Sequence, residues 1–90
     1  MLGVTITGSV TKLQHAESDE YGLVTIDAIV NNGRKNVTFE LPTSEYWAAF
    51  NAHGHSKIVE CFGDLHVTHR AAKLINPKNF RIFGVDDMFD

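Results

Sequence analysis

The chain has few of the features that define secreted, membrane-spanning or disulfide-bonded proteins. Its single cysteine, Cys61, cannot form an internal disulfide, which fits a reducing, cytoplasmic location. Its apolar runs are only a few residues long, whereas a membrane-spanning helix needs about 20 apolar residues. The opening residues, MLGVTITG, have no basic segment and no long apolar segment, so we expect no secretory signal. The sequence therefore predicts a cytoplasmic protein.

Motifs for catalysis, metal binding and phosphate binding are also missing. Neither G-x-S-x-G nor H-E-x-x-H occurs, and the seven glycines are scattered rather than gathered into a phosphate-binding loop. The five histidines and one cysteine do not have the spacing of a structural zinc site, which usually contains closely spaced cysteine pairs. We therefore expect a non-enzymatic protein with no catalytic residues, no metal and no cofactor.

Positive charge is scarce overall, but the charges are unevenly distributed. The net charge of -3 is unlike that of a protein dedicated to binding duplex phosphate. Acidic residues crowd positions 17–20 and 86–90, while four basic residues fall within positions 70–81. Without the two acidic clusters the remainder of the chain is mildly basic, so a local cationic surface is compatible with the sequence.

Regular alternation of apolar and polar residues is the main feature that the sequence does have. Alternation with a period of two indicates strands with one buried face, and Asn31-Asn32-Gly33 indicates a hairpin between two of them. Glycines at positions 8 and 63 indicate bulges or bends. The predicted strands are residues 2–13, 22–31, 35–41, 57–69 and 79–85, with a helix at 43–53 and a loop at 70–79.

This order of elements predicts a mostly β fold, a five-stranded antiparallel Greek-key barrel of the OB-fold type. One short helix lies between strands 3 and 4. Residues 1–85 form the predicted domain, and residues 86–90 a short acidic C-terminal tail. On the helix, Trp47 and Phe50 are expected to fill the bottom of the barrel.

Three segments resemble OB-fold single-stranded DNA-binding proteins. They are I-T-G-S-V at residues 6–10, V-E-C-F-G-D-L at 59–65 and L-I-N-P-K-N-F-R-I at 74–82, and in the second segment Phe62, Gly63 and Leu65 match the fourth-strand pattern of those proteins. The resemblance implies binding of single-stranded DNA or RNA with low sequence specificity, a role in replication or repair, and a homo-oligomer.

A single strand needs cations for its phosphates and flat side chains for its bases. The candidate phosphate contacts are Arg34, Lys35, Arg70, Lys73, Lys78 and Arg81. The candidate stacking residues are Tyr21, Phe62 and Phe83.

A second interpretation remains open. Asp27, Glu40 and Glu60 are expected to project outward from the strands that would carry phosphate, which favours a protein-interaction module or a subunit of a larger assembly. In that case the mixed outer face, including Leu23, Ile29 and Phe62, would be buried against a protein. Phe62 and Phe83 could equally be covered by the N-terminal segment or by a subunit contact.

The C-terminal residues have a separate resemblance. D-D-M-F-D at positions 86–90 looks like a shortened form of the acidic, phenylalanine-bearing tip through which bacterial single-stranded DNA-binding proteins recruit replication and repair proteins. The resemblance implies that a partner protein binds Asp86, Asp87, Met88 and Phe89.

Overall fold

The computed structural model describes residues 1–15, 20–55, 58–68 and 71–83. Within these ranges the chain forms five strands and one helix, in the order that the alternation predicted. They are β1 (Val4–Gln14), β2 (Tyr21–Val30), β3 (Gly33–Pro42), α1 (Thr43–Gly54), β4 (Ile58–Val67) and β5 (Ala72–Phe83).

The five strands close into a barrel in the order β1-β2-β3-β5-β4. The closed barrel and the helix between β3 and β4 confirm the predicted fold class, and four of the five junctions are antiparallel as predicted, whereas the fifth is not. Strands β3 and β5 run parallel, with Val37 opposite Ala72 and Thr38 opposite Lys73. An odd number of strands in a closed ring cannot alternate in direction at every junction, so at least one junction has to be parallel.

Strand β5 is longer than its composition suggested. Residues 72–78 were expected to be part of a loop because they include Asn76-Pro77, yet they pair with β4. Leu74 and Ala72 are buried opposite Leu65 and Val67, and this burial stabilises the strand. The irregular composition reflects breaks in the strand, since Asn76 and Asn79 have positive φ angles of 53° and 55°.

The barrel interior is filled by alternate apolar side chains, as the strand pattern predicted. Leu2 and Val67 lie on the apolar side of the alternation in the predicted strands 2–13 and 57–69, which predicts that they point inward, yet they are 86% and 37% exposed. The largest fully buried side chains are Phe39, Ile26, Leu41, Leu74, Val24, Val37, Val59 and Cys61.

Gly8 lies where β1 pairs with two strands at once, opposite Ala28 on β2 and Val59 on β4. A β-carbon at position 8 would overlap the carbonyl oxygen of Asp27, so the close approach of the two backbones requires glycine. The bulge in β1 lies further along the strand, between Val10 and Lys12.

The helix packs on the barrel through a different face from the one expected. Tyr46, Ala49 and Ala52 are buried at a spacing of three residues, and the Tyr46 ring lies against Gly22 of β2. Trp47 and Phe50 lie on the neighbouring face and remain 49% and 51% exposed, so the prediction that they fill the barrel was wrong. No helix among the described residues is long and apolar enough to cross a membrane.

Candidate functional site

The described candidate residues form three groups rather than one continuous track. Arg34 and Lys35 lie at the β2–β3 hairpin, and Tyr21 and Lys73 lie beside the junction of β3 and β5. Four candidates share the β4–β5 pair: Phe62, Lys78, Arg81 and Phe83. Five predicted site residues lie outside the described ranges: Arg70, Asp86, Asp87, Met88 and Phe89.

The hairpin group contains a neutralised cation. Val30 pairs with Gly33, so the turn consists of Asn31 and Asn32. Both asparagines have positive φ angles. The guanidinium of Arg34 lies 2.7 Å from a carboxylate oxygen of Asp27. Asp27 does project outward, as expected, and its charge is balanced within the same hairpin.

The third group lies on the outer face of β4 and β5. Together with Glu60, its residues form what we call the β4–β5 face: Glu60, Phe62, Lys78, Arg81 and Phe83. Arg81 and Phe83 of this face contact residues of the same face. Arg81 lies 3.8 Å from a carboxylate oxygen of Glu60 and 5.4 Å from the centre of the Phe83 ring. Both contacts occupy the guanidinium that would otherwise face a phosphate.

The N-terminal segment packs beside Phe62. The amino group of Met1 donates to the carbonyl of Leu65 at 2.7 Å, and the Gly3 amide donates to the Asp64 carboxylate at 3.0 Å. This pairing holds Gly3 against the edge of the Phe62 ring, which remains 37% exposed. The segment therefore covers part of Phe62 but not all of it.

A row of outward side chains crosses all five strands at one level of the barrel. The cross-strand pairs run from Lys12 to Thr25, from Thr25 to Thr38, from Thr38 to Lys73 and from Lys73 to His66. We call these five residues the transverse row. Its two central hydroxyl groups lie 3.0 Å apart and share a hydrogen bond.

The cations of the transverse row are available to a ligand. Lys12 and Lys73 are exposed, as is the imidazole of His66 in the same row, and none of these side chains forms an ion pair with another described residue. Lys12 and His66 were not among the predicted site residues. The bulge at Thr11 shifts the alternation, so only the pairing of β1 with β2 shows that Lys12 points outward beside Thr25.

A cleft opens next to the transverse row, between β3 and β5. The parallel ladder ends at Thr38 and Lys73, and beyond it the two strands separate. Tyr21, Glu40 and Ile75 line this β3–β5 cleft together with Lys73. Tyr21 is 53% exposed, and the carboxylate of Glu40 makes no hydrogen bond or ion pair with the described part of the chain.

An aromatic cluster lies where α1 meets the end of β1. The His15 ring stacks on Tyr46 with 4.8 Å between ring centres, and the Trp47 ring centre lies 5.5 Å from that of Phe50. His15 also shares a hydrogen bond with the Thr43 hydroxyl at 3.3 Å. His15 could not be singled out from the sequence, because its contacts depend on the packing of the helix against the end of β1.

The single thiol lies inside the barrel. Burial raises the pKa of Cys61 to about 11, so the thiol is protonated at neutral pH. Its sulfur lies 3.6 Å from the Lys78 carbonyl oxygen, as a weak donor. Within the described ranges, no three histidine, cysteine or acidic side chains are grouped as metal ligands.

Comparisons of the chain with protein-family models, with curated proteins and with solved structures gave no match.

Proposed function

We propose that the protein is a barrel of the OB-fold type that binds single-stranded DNA or RNA with low sequence specificity. Support for the fold type comes from the strand order β1-β2-β3-β5-β4 and from the helix between β3 and β4. OB-folds use the face of strands 2 and 3, bordered by the β1–β2 and β4–β5 loops, for oligonucleotides. The transverse row crosses that face.

The transverse row is the observation that carries the proposal. Adjacent strands are about 4.8 Å apart, so Lys12 and Lys73, three strand spacings apart, are separated by about 14 Å around the barrel surface. The hydroxyl groups of Thr25 and Thr38 lie between them. Two cations with hydrogen-bonding hydroxyls between them are suited to successive phosphate groups of an extended strand.

Aromatic side chains supply the base contacts of the proposal. Tyr21 lies beside Lys73 in the β3–β5 cleft, where a base could stack on its exposed ring. Phe62 and Phe83, with Lys78 and Arg81, are proposed to contact a strand that continues onto the β4–β5 face. Contacts to phosphates and to the faces of bases carry little sequence information, which is why low specificity is proposed.

The acidic net charge is compatible with this proposal because two outward carboxylates are already neutralised. Asp27 pairs with Arg34, and Glu60 pairs with Arg81. The side chains of the transverse row contribute two lysines and no carboxylate. The local positive potential of these lysines favours the binding of phosphate even on a protein whose total charge is negative.

Fluorescence anisotropy with a labelled, mixed-sequence oligonucleotide of about 16 nucleotides tests the proposal. We expect binding at micromolar protein, weakening steeply between about 50 and 200 mM salt because counterions are released from the strand. The same sequence as a duplex serves as the control and is expected to bind more weakly. Absence of salt-sensitive binding to the single strand would rule out the proposed function.

The exposed aromatic residues of α1 favour a second candidate, a protein-interaction module within a larger assembly. Trp47 and Phe50 are half exposed on α1, which contributes no residue to the transverse row, and aromatic anchors are frequent at protein interfaces. The homo-oligomer inferred from the resemblance belongs to this candidate as well. Sedimentation of wild type and of Trp47→Ala tests it: a larger species that the substitution dissociates supports it, and a monomer in both samples contradicts self-association.

A further inference from the structure

The β3–β5 cleft combines an aromatic wall, a cation and a carboxylate in one recess. Tyr21 and Ile75 form apolar walls, Lys73 belongs to both the cleft and the transverse row, and Glu40 lies two residues beyond Thr38 on β3. A strand that follows the transverse row therefore passes the mouth of the cleft. One of its bases can enter while its phosphate stays at Lys73.

Glu40 differs from the other outward carboxylates of the described strands. Asp27 and Glu60 are paired with arginines, and Asp64 accepts a hydrogen bond from the Gly3 amide. Glu40 is exposed and makes no such contact with any described residue. A carboxylate left without a partner beside a phosphate path weakens binding unless it makes a contact with the ligand itself.

The chemistry of that contact follows from the donor pattern of the bases. An ionised carboxylate is an acceptor only, with two oxygens side by side. Guanine presents a ring N–H and an amino group side by side, which match both oxygens, and cytosine and adenine each present an amino group. Thymine presents one N–H between two carbonyl oxygens, and these oxygens repel the carboxylate.

We propose that the β3–β5 cleft is a nucleobase pocket in which Glu40 selects bases that carry an amino group, guanine first, over thymine. This inference rests on the proposed function and adds a preference at a single position to otherwise unspecific binding. Tyr21 stacks on the base, Lys73 contacts its phosphate, and Glu40 accepts its donors.

Competition binding against labelled oligo(dT) tests this pocket. The unlabelled competitors are all-dT and the same oligonucleotide with one central dG, dC or dA. We expect the dG competitor to bind about five-fold or more tightly than all-dT, since a bidentate base contact discriminates at least to that extent. Competitors with dC and dA are expected between these two.

Substitution of Glu40 separates the hydrogen bond from the general effect of charge. In Glu40→Gln the preference for dG over dT is expected to fall to within about two-fold, because the amide also offers donors to thymine. Glu20→Gln, next to Tyr21, removes the same charge and is the matched control, expected to keep the preference. Circular dichroism of both variants checks that the barrel is folded.

The outcomes distinguish the pocket from the proposed function. Equal affinity for all four competitors, or an unchanged preference in Glu40→Gln, overturns the pocket and leaves single-strand binding intact. Absence of binding to every oligonucleotide overturns both.

Discussion

The transverse row and the β4–β5 face use similar residue types in opposite ways. On the β4–β5 face the guanidinium of Arg81 is occupied by Glu60 and Phe83, and the edge of Phe62 lies against the N-terminal segment. In the transverse row, Lys12 and Lys73 are exposed and have no ion-pair partner among the described residues. The number of cations in a stretch of sequence therefore says less about a binding surface than the partners that the fold gives them.

The packing of α1 on β2, next to Tyr21 of the cleft, can be disrupted with a single methyl group. Gly22→Ala places a β-carbon against the Tyr46 ring, and the resulting overpacking is expected to reduce the free energy of unfolding by about 1–3 kcal/mol. Urea denaturation measures the effect. Gly54→Ala is the matched control, because position 54 ends α1 and a β-carbon there meets no atom within 4 Å. Equal changes in the two variants would contradict this account of the packing.

Removal of the cations from each face compares the two directly. Lys12→Ala with Lys73→Ala should reduce the salt dependence of oligonucleotide binding, as the slope of log affinity against log salt, by about 1.4, since each phosphate contact contributes about 0.7. Lys78→Ala with Arg81→Ala should reduce it by about 0.7 or less, because Arg81 is already paired. A larger reduction from the second pair would show that the β4–β5 face is the main path.

Cys61, which lies in the barrel interior behind the β4–β5 face, is expected to make stability depend on pH. The pKa of Cys61 is raised from 9.0 to about 11, so above about pH 9 the unfolded chain loses the thiol proton while the folded chain keeps it. The contribution of the protonated thiol to stability is thus fully present below about pH 9 and is lost as the pH rises towards 11. We expect a decrease of about 1 kcal/mol between about pH 8 and pH 10, measured by urea denaturation. In Cys61→Ala this part of the decrease should be absent; the same decrease in both proteins would assign it to other groups.

The smallest effect comes from releasing a cation on the β4–β5 face. Glu60→Gln removes the partner of Arg81 and should change stability by no more than about 1 kcal/mol, since exposed ion pairs contribute little. If a bound strand reaches this face, the salt dependence should become steeper by up to about 0.7. Glu45→Gln on α1 is the control for loss of one negative charge. An unchanged slope would show that the bound strand does not extend from the transverse row to the β4–β5 face.

Much of the fold could be predicted from the sequence because each strand has one buried face. Alternation in β2 and β3 and the hairpin between them are local signals, and both are present in the structure. The first half of β5 was missed because Asn76, Pro77 and Asn79 interrupt the pattern. Its strand pairing depends on β4, which the local composition does not report.

The site was less predictable because it depends on register between distant strands. The two-residue turn sets the register of β2 and β3 and places Ile29 opposite Arg34. Asp27 lies two residues from Ile29 on the same face of β2, so its ion pair with Arg34 could have been predicted. Neither Lys12 nor His66 could have been found in this way. Lys12 follows a bulge, and β4 and β5 pair with two register shifts before they reach His66.

The parallel junction has a consequence for the motions of the barrel. Only two residue pairs join β3 to β5, whereas every other junction has an antiparallel ladder of at least six. Amide hydrogens that bond across the β3–β5 junction are therefore expected to exchange with solvent sooner than those that bond between β2 and β3. Local breathing at this seam would widen the adjoining recess for bases of different size while the rest of the cylinder stays intact.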